Sequence, residues 1–169
     1  MGEIINKVQQ SGLITIDLEE YYPKEERVEY DLAQNLWQGL ALKEKDFREF
    51  VSANDWSVYK NKLVAITCTA DAIVPTWAFM LVSGSVQPYA KKIIFGNLQE
   101  LESAVFSDII QSLDANIFRD ARVVIKGCSN KPVPVNAYVK LTAALKPFAK
   151  SIMYGEPCST VPLYKAKKD

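Results

Sequence analysis

Histidine is absent from the 169 residues, which excludes an imidazole metal ligand, a Ser-His-Asp triad, a Cys-His pair and an HExxH zinc motif. Net charge is absent too: 20 basic and 20 acidic side chains cancel, so the electrostatic case for nucleic-acid or membrane-surface binding falls away. Three cysteines are an odd number and too few for a disulfide scaffold. The seven glycines form neither GxGxxG nor GxxxxGK[ST], so no dinucleotide or P-loop signature is present. The longest apolar stretch, residues 73–86, is shorter than the ~20 residues needed to cross a bilayer. Residues 1–17 lack the basic start and apolar run of a signal peptide. These absences lead us to expect a cytoplasmic protein with reduced thiols, with no nucleic-acid or membrane partner.

What is present is an internal repeat. LVAITC at 63–68 resembles VVIKGC at 123–128, 60 residues on, and VPTWAFMLVSGSVQPYAKKIIFGN at 74–97 resembles VPVNAYVKLTAALKPFAKSIMYGE at 133–156, 59 residues on. One deletion reconciles the two offsets, and ten of the 30 aligned pairs are identical. Phe79/Tyr138, Tyr89/Phe148 and Phe95/Tyr154 are conservative matches. Each copy reads as a buried apolar strand, a polar loop with a cysteine, a helix entered at Val-Pro, and a strand closed by Gly96 or Gly155. Strands are predicted near 36–42, 63–67, 92–95, 122–127 and 151–154, and helices at 44–52, 76–87, 98–113 and 135–146. The alternation implies an α/β fold: one domain with a largely parallel sheet built from two duplicated βαβ units. Within it, residues 1–35 form an N-terminal extension without a partner in the repeat. Its segments 13–18 and 28–32 add an edge strand or hairpin. The first repeat spans 36–97, the second 98–156, and 157–169 close the chain.

The segment 76–87 is apolar on nearly every face and must be covered. The extension is the expected cover, and a homodimer interface through Ser83-Gly84-Ser85 is the alternative. The charged run 43–49 reads as a solvated helix face, Tyr21-Tyr22-Pro23 as a packed turn, and the lysines near the C-terminus as a solvated tail.

Strand ends in a parallel sheet leave from one edge, where open α/β folds bind ligands. Cys68 and Cys128 follow their strands directly, and Cys158 lies four residues past Tyr154, so all three thiols are expected at that edge. Helix N-termini at Pro75 and Pro134 would favour thiolate. Three thiolates select a soft ion, zinc or an iron–sulfur species, over Mg or Ca. With no imidazole, a fourth ligand would be a carboxylate, a water or a substrate atom, and Asp71 and Glu156 are the nearest acidic candidates. The candidate metal ligands are therefore Cys68, Cys128, Cys158, Asp71 and Glu156. Two other readings stand beside this: a thiol enzyme or sulfur carrier with Cys158 as nucleophile, and a non-catalytic oligomerisation or interaction module. Cysteine is also a small hydrophobe that packs inertly in tight corners, and no CxxC signals a metal.

The strings SGLITIDLEEYYP, LKEKDFREF, DAIVPTWAFM and GEPCSTVPLYK resemble the uncharacterised bacterial family called domain of unknown function two-four-eight-zero, over nearly the whole chain. The resemblance implies genes that neighbour those for iron–sulfur cluster assembly, and hence iron–sulfur assembly proteins as partners. It favours a thiol or metal role, carries over Cys128 and Cys158, and identifies no catalytic residue.

Overall fold

The computed structural model describes residues 12–127, 130–156 and 159–168. In chain order the regular elements are β1 (Leu13–Ile16), β2 (Arg27–Asp31), α1 (Glu44–Ala53), β3 (Leu63–Thr67), α2 (Thr76–Val86), β4 (Lys92–Phe95), α3 (Leu98–Gln111), β5 (Arg122–Ile125), α4 (Val135–Leu145), β6 (Ser151–Glu156) and β7 (Ser159–Lys165). They divide into two compact units. Lys24–Val105 form one, and the residues before Lys24 together with those from Phe106 form the other, so the boundary falls inside α3. No helix among the described residues is long and apolar enough to cross a membrane.

In the Lys24–Val105 unit three parallel strands run in the order β2-β3-β4. The central strand is LVAIT, buried at its first four positions, because a strand flanked on both edges and covered on its faces has no polar side to keep. β2 ends at Asp31, whose carboxylate accepts the Ala33 amide at 2.9 Å and starts a 3₁₀ turn that buries Leu32. Phe47 and Val51 of α1, one turn apart on its inner face, meet Ala78, Val82 and Val86 of α2 in one core with Tyr30 and Trp56. Tyr30 and Trp56 lie with ring centroids 5.3 Å apart.

The other unit repeats this plan. Its sheet is ordered β1-β5-β6-β7, the first three parallel and β7 antiparallel to β6. Asp17, directly after β1, caps a second 3₁₀ turn that buries Leu18. Ala137, Leu141 and Leu145 of α4 stand where Ala78, Val82 and Val86 stand in α2, each 59 residues later, and Phe106 and Ile110 answer to Phe47 and Val51. The turn before each central strand is entered through a non-glycine residue with positive φ, Asn61 at 58° and Asp120 at 60°. Their amides donate to Tyr89 and Phe148 oxygens respectively, both at 3.0 Å. These paired features are consistent with a duplication.

The structure revises the sequence expectations in five places. The strands form two sheets instead of one. Of the two expectations for residues 13–18 and 28–32, the edge strand holds and the hairpin does not: β1 is an edge strand parallel to β5, and β2 an edge strand parallel to β3. The N-terminal residues do have counterparts in the repeat, since each unit takes from them one strand that leads through an Asp cap into a 3₁₀ turn opened by Leu. Residues 36–42 hold only an isolated bridge, Trp37 to Ala41, at a turn where Gln38 and Gly39 take positive φ. Apolar residues there are exposed, Leu40 by 66%, so hydrophobicity without alternation had mimicked a strand. Finally, α2 is covered on its Trp77 side by α1 of its own unit: Phe47 packs against Trp77 at 6.0 Å, and the Arg48 guanidinium lies 5.0 Å over the indole.

Candidate functional site

Register decides which residues are equivalent at the strand ends. Leu63 pairs with Lys92 and Arg122 with Ser151, so the constant spacing is 59 through the central strands, without the deletion inferred from sequence. Cys68 is therefore equivalent to Gly127, and the matched cysteines are not at matched positions. Cys128 falls one residue later, opposite Thr69 in the repeat, and lies outside the described residues, as does Cys158.

At the C-terminal edge of the three-stranded sheet the polar groups are satisfied within the fold. Asp31 accepts the Thr69 amide at 3.0 Å and the Thr69 hydroxyl, in addition to the Ala33 amide. Burial pushes its carboxyl upward, but the hydrogen bonds from the Thr69 hydroxyl and the two amides outweigh this and hold it below the usual carboxylate range. Cys68 is a half-buried free thiol packed against the apolar core of its unit, with Sγ 3.9 Å from the Ala70 oxygen. Asp71 is exposed in the same loop. Across α2 and β4, Phe79 and Phe95 make an edge-on pair at 5.0 Å.

The same edge of the four-stranded sheet is more polar. Asp17 Oδ1 accepts the Glu19 amide at 3.0 Å, while Oδ2 lies 3.7 Å from Lys126 Nζ at the end of β5. Glu19 in turn accepts the Lys131 amide at 2.8 Å in the loop before α4, and Lys131 Nζ stands 5.7 Å from the Tyr22 ring centre. Tyr138 and Tyr154 occupy the positions of Phe79 and Phe95 and again meet edge-on, at 5.8 Å and 89°. The Tyr154 hydroxyl lies over the Gly127 carbonyl oxygen at 3.4 Å. That approach needs glycine: a Cβ on Gly127 would come 2.6 Å from Tyr154 Cζ. Burial raises the Tyr138 phenol, and the neighbouring Tyr154, Asp17 and Glu19 raise it further. Glu156, half-buried, ends β6 and pairs with Ser159 of β7.

The five ligands expected from sequence are thus distributed. Cys68 and Asp71 follow β3 of the three-stranded sheet, whereas Glu156 ends β6 of the four-stranded one; the expectation of a single common sheet edge is corrected to this extent. Among the described residues no group of three or more Cys, Asp or Glu is arranged to hold a metal ion. Sequence reasoning passed over Asp17, Glu19, Lys126, Tyr138 and Tyr154. The available signal was the change from Phe79 and Phe95 to Tyr138 and Tyr154, read as conservative matches, which gives one edge phenolic hydroxyls that the other lacks.

A model of the family described as Protein of unknown function (DUF2480) matches residues 2–166. No curated protein and no solved structure matches the chain.

Proposed function

The chain belongs to the DUF2480 family of proteins of unknown function, and we propose that it is a metal- or iron–sulfur-binding accessory protein whose thiol site lies at the C-terminal edge of the four-stranded sheet. One observation carries this reading: Cys128 directly follows Gly127 past the end of β5, Cys158 directly precedes Ser159 where β6 turns into β7, and β5 and β6 are neighbours. Consecutive Cα atoms are ~3.8 Å apart, and this proximity in the chain to neighbouring strands supports the reading. Soft sulfur favours zinc or an iron–sulfur species, bound at Zn–S distances of ~2.3 Å in the zinc case. Glu156 is the nearest carboxylate in sequence to Cys158. Cys68 and Asp71 are the remaining ligands expected from the sequence. The setting is a reducing cytoplasm, and iron–sulfur assembly proteins are the partners that fit such a role.

The test is metal and sulfide analysis of protein purified without oxygen. Wild type is expected to carry a soft metal that Cys128→Ser and Cys158→Ser lose. Loss in Cys68→Ser as well identifies a three-thiol site, whereas retention confines it to the Cys128–Cys158 edge. Metal-free wild type that takes up neither zinc nor a reconstituted cluster overturns the reading.

A second reading is a thiol enzyme or sulfur carrier with Cys158 as nucleophile, chosen because Cys158 has no counterpart in the repeat to constrain it. It expects Cys158 to alkylate with an apparent pKa below the ordinary thiol value of about 8.5, with no metal bound. Alkylation profiles at or above that value for every thiol would sink it.

A further inference from the structure

Within the Lys24–Val105 unit, α2 and β4 flank a cavity of about 620 Å³. Its wall includes Phe79 and Phe95, an edge-on pair with ring centroids 5.0 Å apart, together with Met80 and Ile93. Phe95 is 71% exposed and Met80 67%, so rings and thioether are open to a ligand. Packing voids inside domains are rarely larger than a water molecule, whereas this volume is that of a small-molecule pocket.

The lining selects the ligand by charge. None of its side chains among the described residues is charged, and its polar groups are the hydroxyls of Thr76 and Ser83. A charged molecule would lose hydration against such a wall and gain no counter-ion, so the chemistry favours a neutral one. Thr76 and Ser83 stand seven residues apart on α2, two turns along one face and ~10 Å from each other.

The other unit shows what fills the matching space. There Tyr138, Val139, Ile152 and Tyr154 follow Phe79, Met80, Ile93 and Phe95 by 59 residues. Tyr164 of β7 lies opposite Ile152 and packs against the core of that unit, with Lys146 Nζ 5.4 Å from its ring centre. Ile152 is wholly buried, whereas Ile93 is only half-buried. β6 leads into β7, but β4 leads into α3, so the chain brings no such ring to the first unit by the same route. An aromatic ring is thus what this fold already accepts beside the helix and strand.

We propose that the cavity between α2 and β4 binds a small neutral aromatic molecule, whose ring takes in this unit the place that the Tyr164 ring takes in the other. The Phe79–Phe95 pair offers it an aromatic partner, the Met80 sulfur meets its edge, and the hydroxyls of Thr76 and Ser83 take up polar substituents.

Titration of the full chain with N-phenyl-1-naphthylamine, a neutral aromatic dye that brightens on leaving water, tests this. Two competitors are then added: p-cresol, the side-chain analogue of tyrosine, and 4-methylcyclohexanol, of like size without the aromatic ring. Wild type is expected to bind the dye saturably, one molecule per chain, and p-cresol to displace it at a concentration at least about twofold lower than 4-methylcyclohexanol. Met80→Glu and Phe95→Lys replace exposed side chains, so both should keep the wild-type melting curve while weakening dye binding at least about tenfold by setting a charge in the wall. Val139→Glu, at the matched and 61% exposed position of the other unit, should leave binding unchanged. Absence of saturable uptake overturns the proposal, whether the cavity is closed by a second copy or simply takes no ligand. Binding that withstands both substitutions, or that Val139→Glu weakens equally, overturns it too, and equal displacement by the two competitors overturns the aromatic assignment.

Discussion

At the scale of single residues, the clearest consequences concern groups held away from water. Tyr30 donates its hydroxyl to Asn35 Oδ1 at 2.6 Å, and burial pushes its phenol up to about 12 against an ordinary 10.0. Since the folded state holds the neutral form, Tyr30's contribution is complete below pH 10.0 and is lost as pH rises towards about 12. Ultraviolet titration should therefore find a phenol that ionises late, together with unfolding of its unit, and Tyr30→Phe should remove that late step. Asp31 runs the other way. Its folded value lies below the ordinary 3.8, so its contribution is present above pH 3.8 and is lost as pH falls below it. Asp31→Ala is expected to flatten acid unfolding over that interval in a pH series of denaturant melts. Gly127→Ala should cost about 1–3 kcal/mol by crowding the Tyr154 ring, and Tyr154→Ala in the same chain should recover part of that loss.

At the scale of elements, the sequence was most legible where a segment is buried on all sides or punctuated by proline. LVAIT at 63–67 is a strand because β-branched residues fill a central position, and it was read at its observed bounds. The helices entered at Pro75 and Pro134 begin where proline allows and end within a residue of expectation, at Val86 and Leu145. β7 was missed because STVPLYK contains Pro162 and leaves most of its side chains outside. It is an edge strand, with a register shift beside Met153. The repeat offset was misread by one residue because two cysteines matched by identity, whereas the ladder matches Val64 with Val123 and Ile66 with Ile125. The equivalence of α1 and α3 carries a prediction. Phe47 and Phe106, 2% and 0% exposed, fill the same corner of the two units, so each truncation to alanine should cost about 3–5 kcal/mol in denaturant unfolding.

At the scale of the whole molecule, the chain passes from β1 through the entire Lys24–Val105 unit before it reaches β5, the strand that pairs with β1. Ile16→Ala, at a core position 3% exposed, is accordingly expected to cost about 2–5 kcal/mol and to raise hydrogen exchange first in Val123–Ile125. Faster exchange confined to β2, its near neighbour in sequence, would contradict that pairing.

Local pattern and composition settled that strands and helices alternate and that chemistry depending on histidine is impossible here, and they pointed to a repeat with which the paired features are consistent, because these follow from side-chain period, punctuation and residue type. They could not settle which strand lies beside which. Parallel pairing joins segments with no short turn to mark them, and β1 reads equally well as a partner for β2 or for β5. Only the tertiary structure divided the strands between two sheets, aligned Cys68 with Gly127, and gave Tyr138 and Tyr154 a shared polar edge, since each depends on register between strands far apart in the chain.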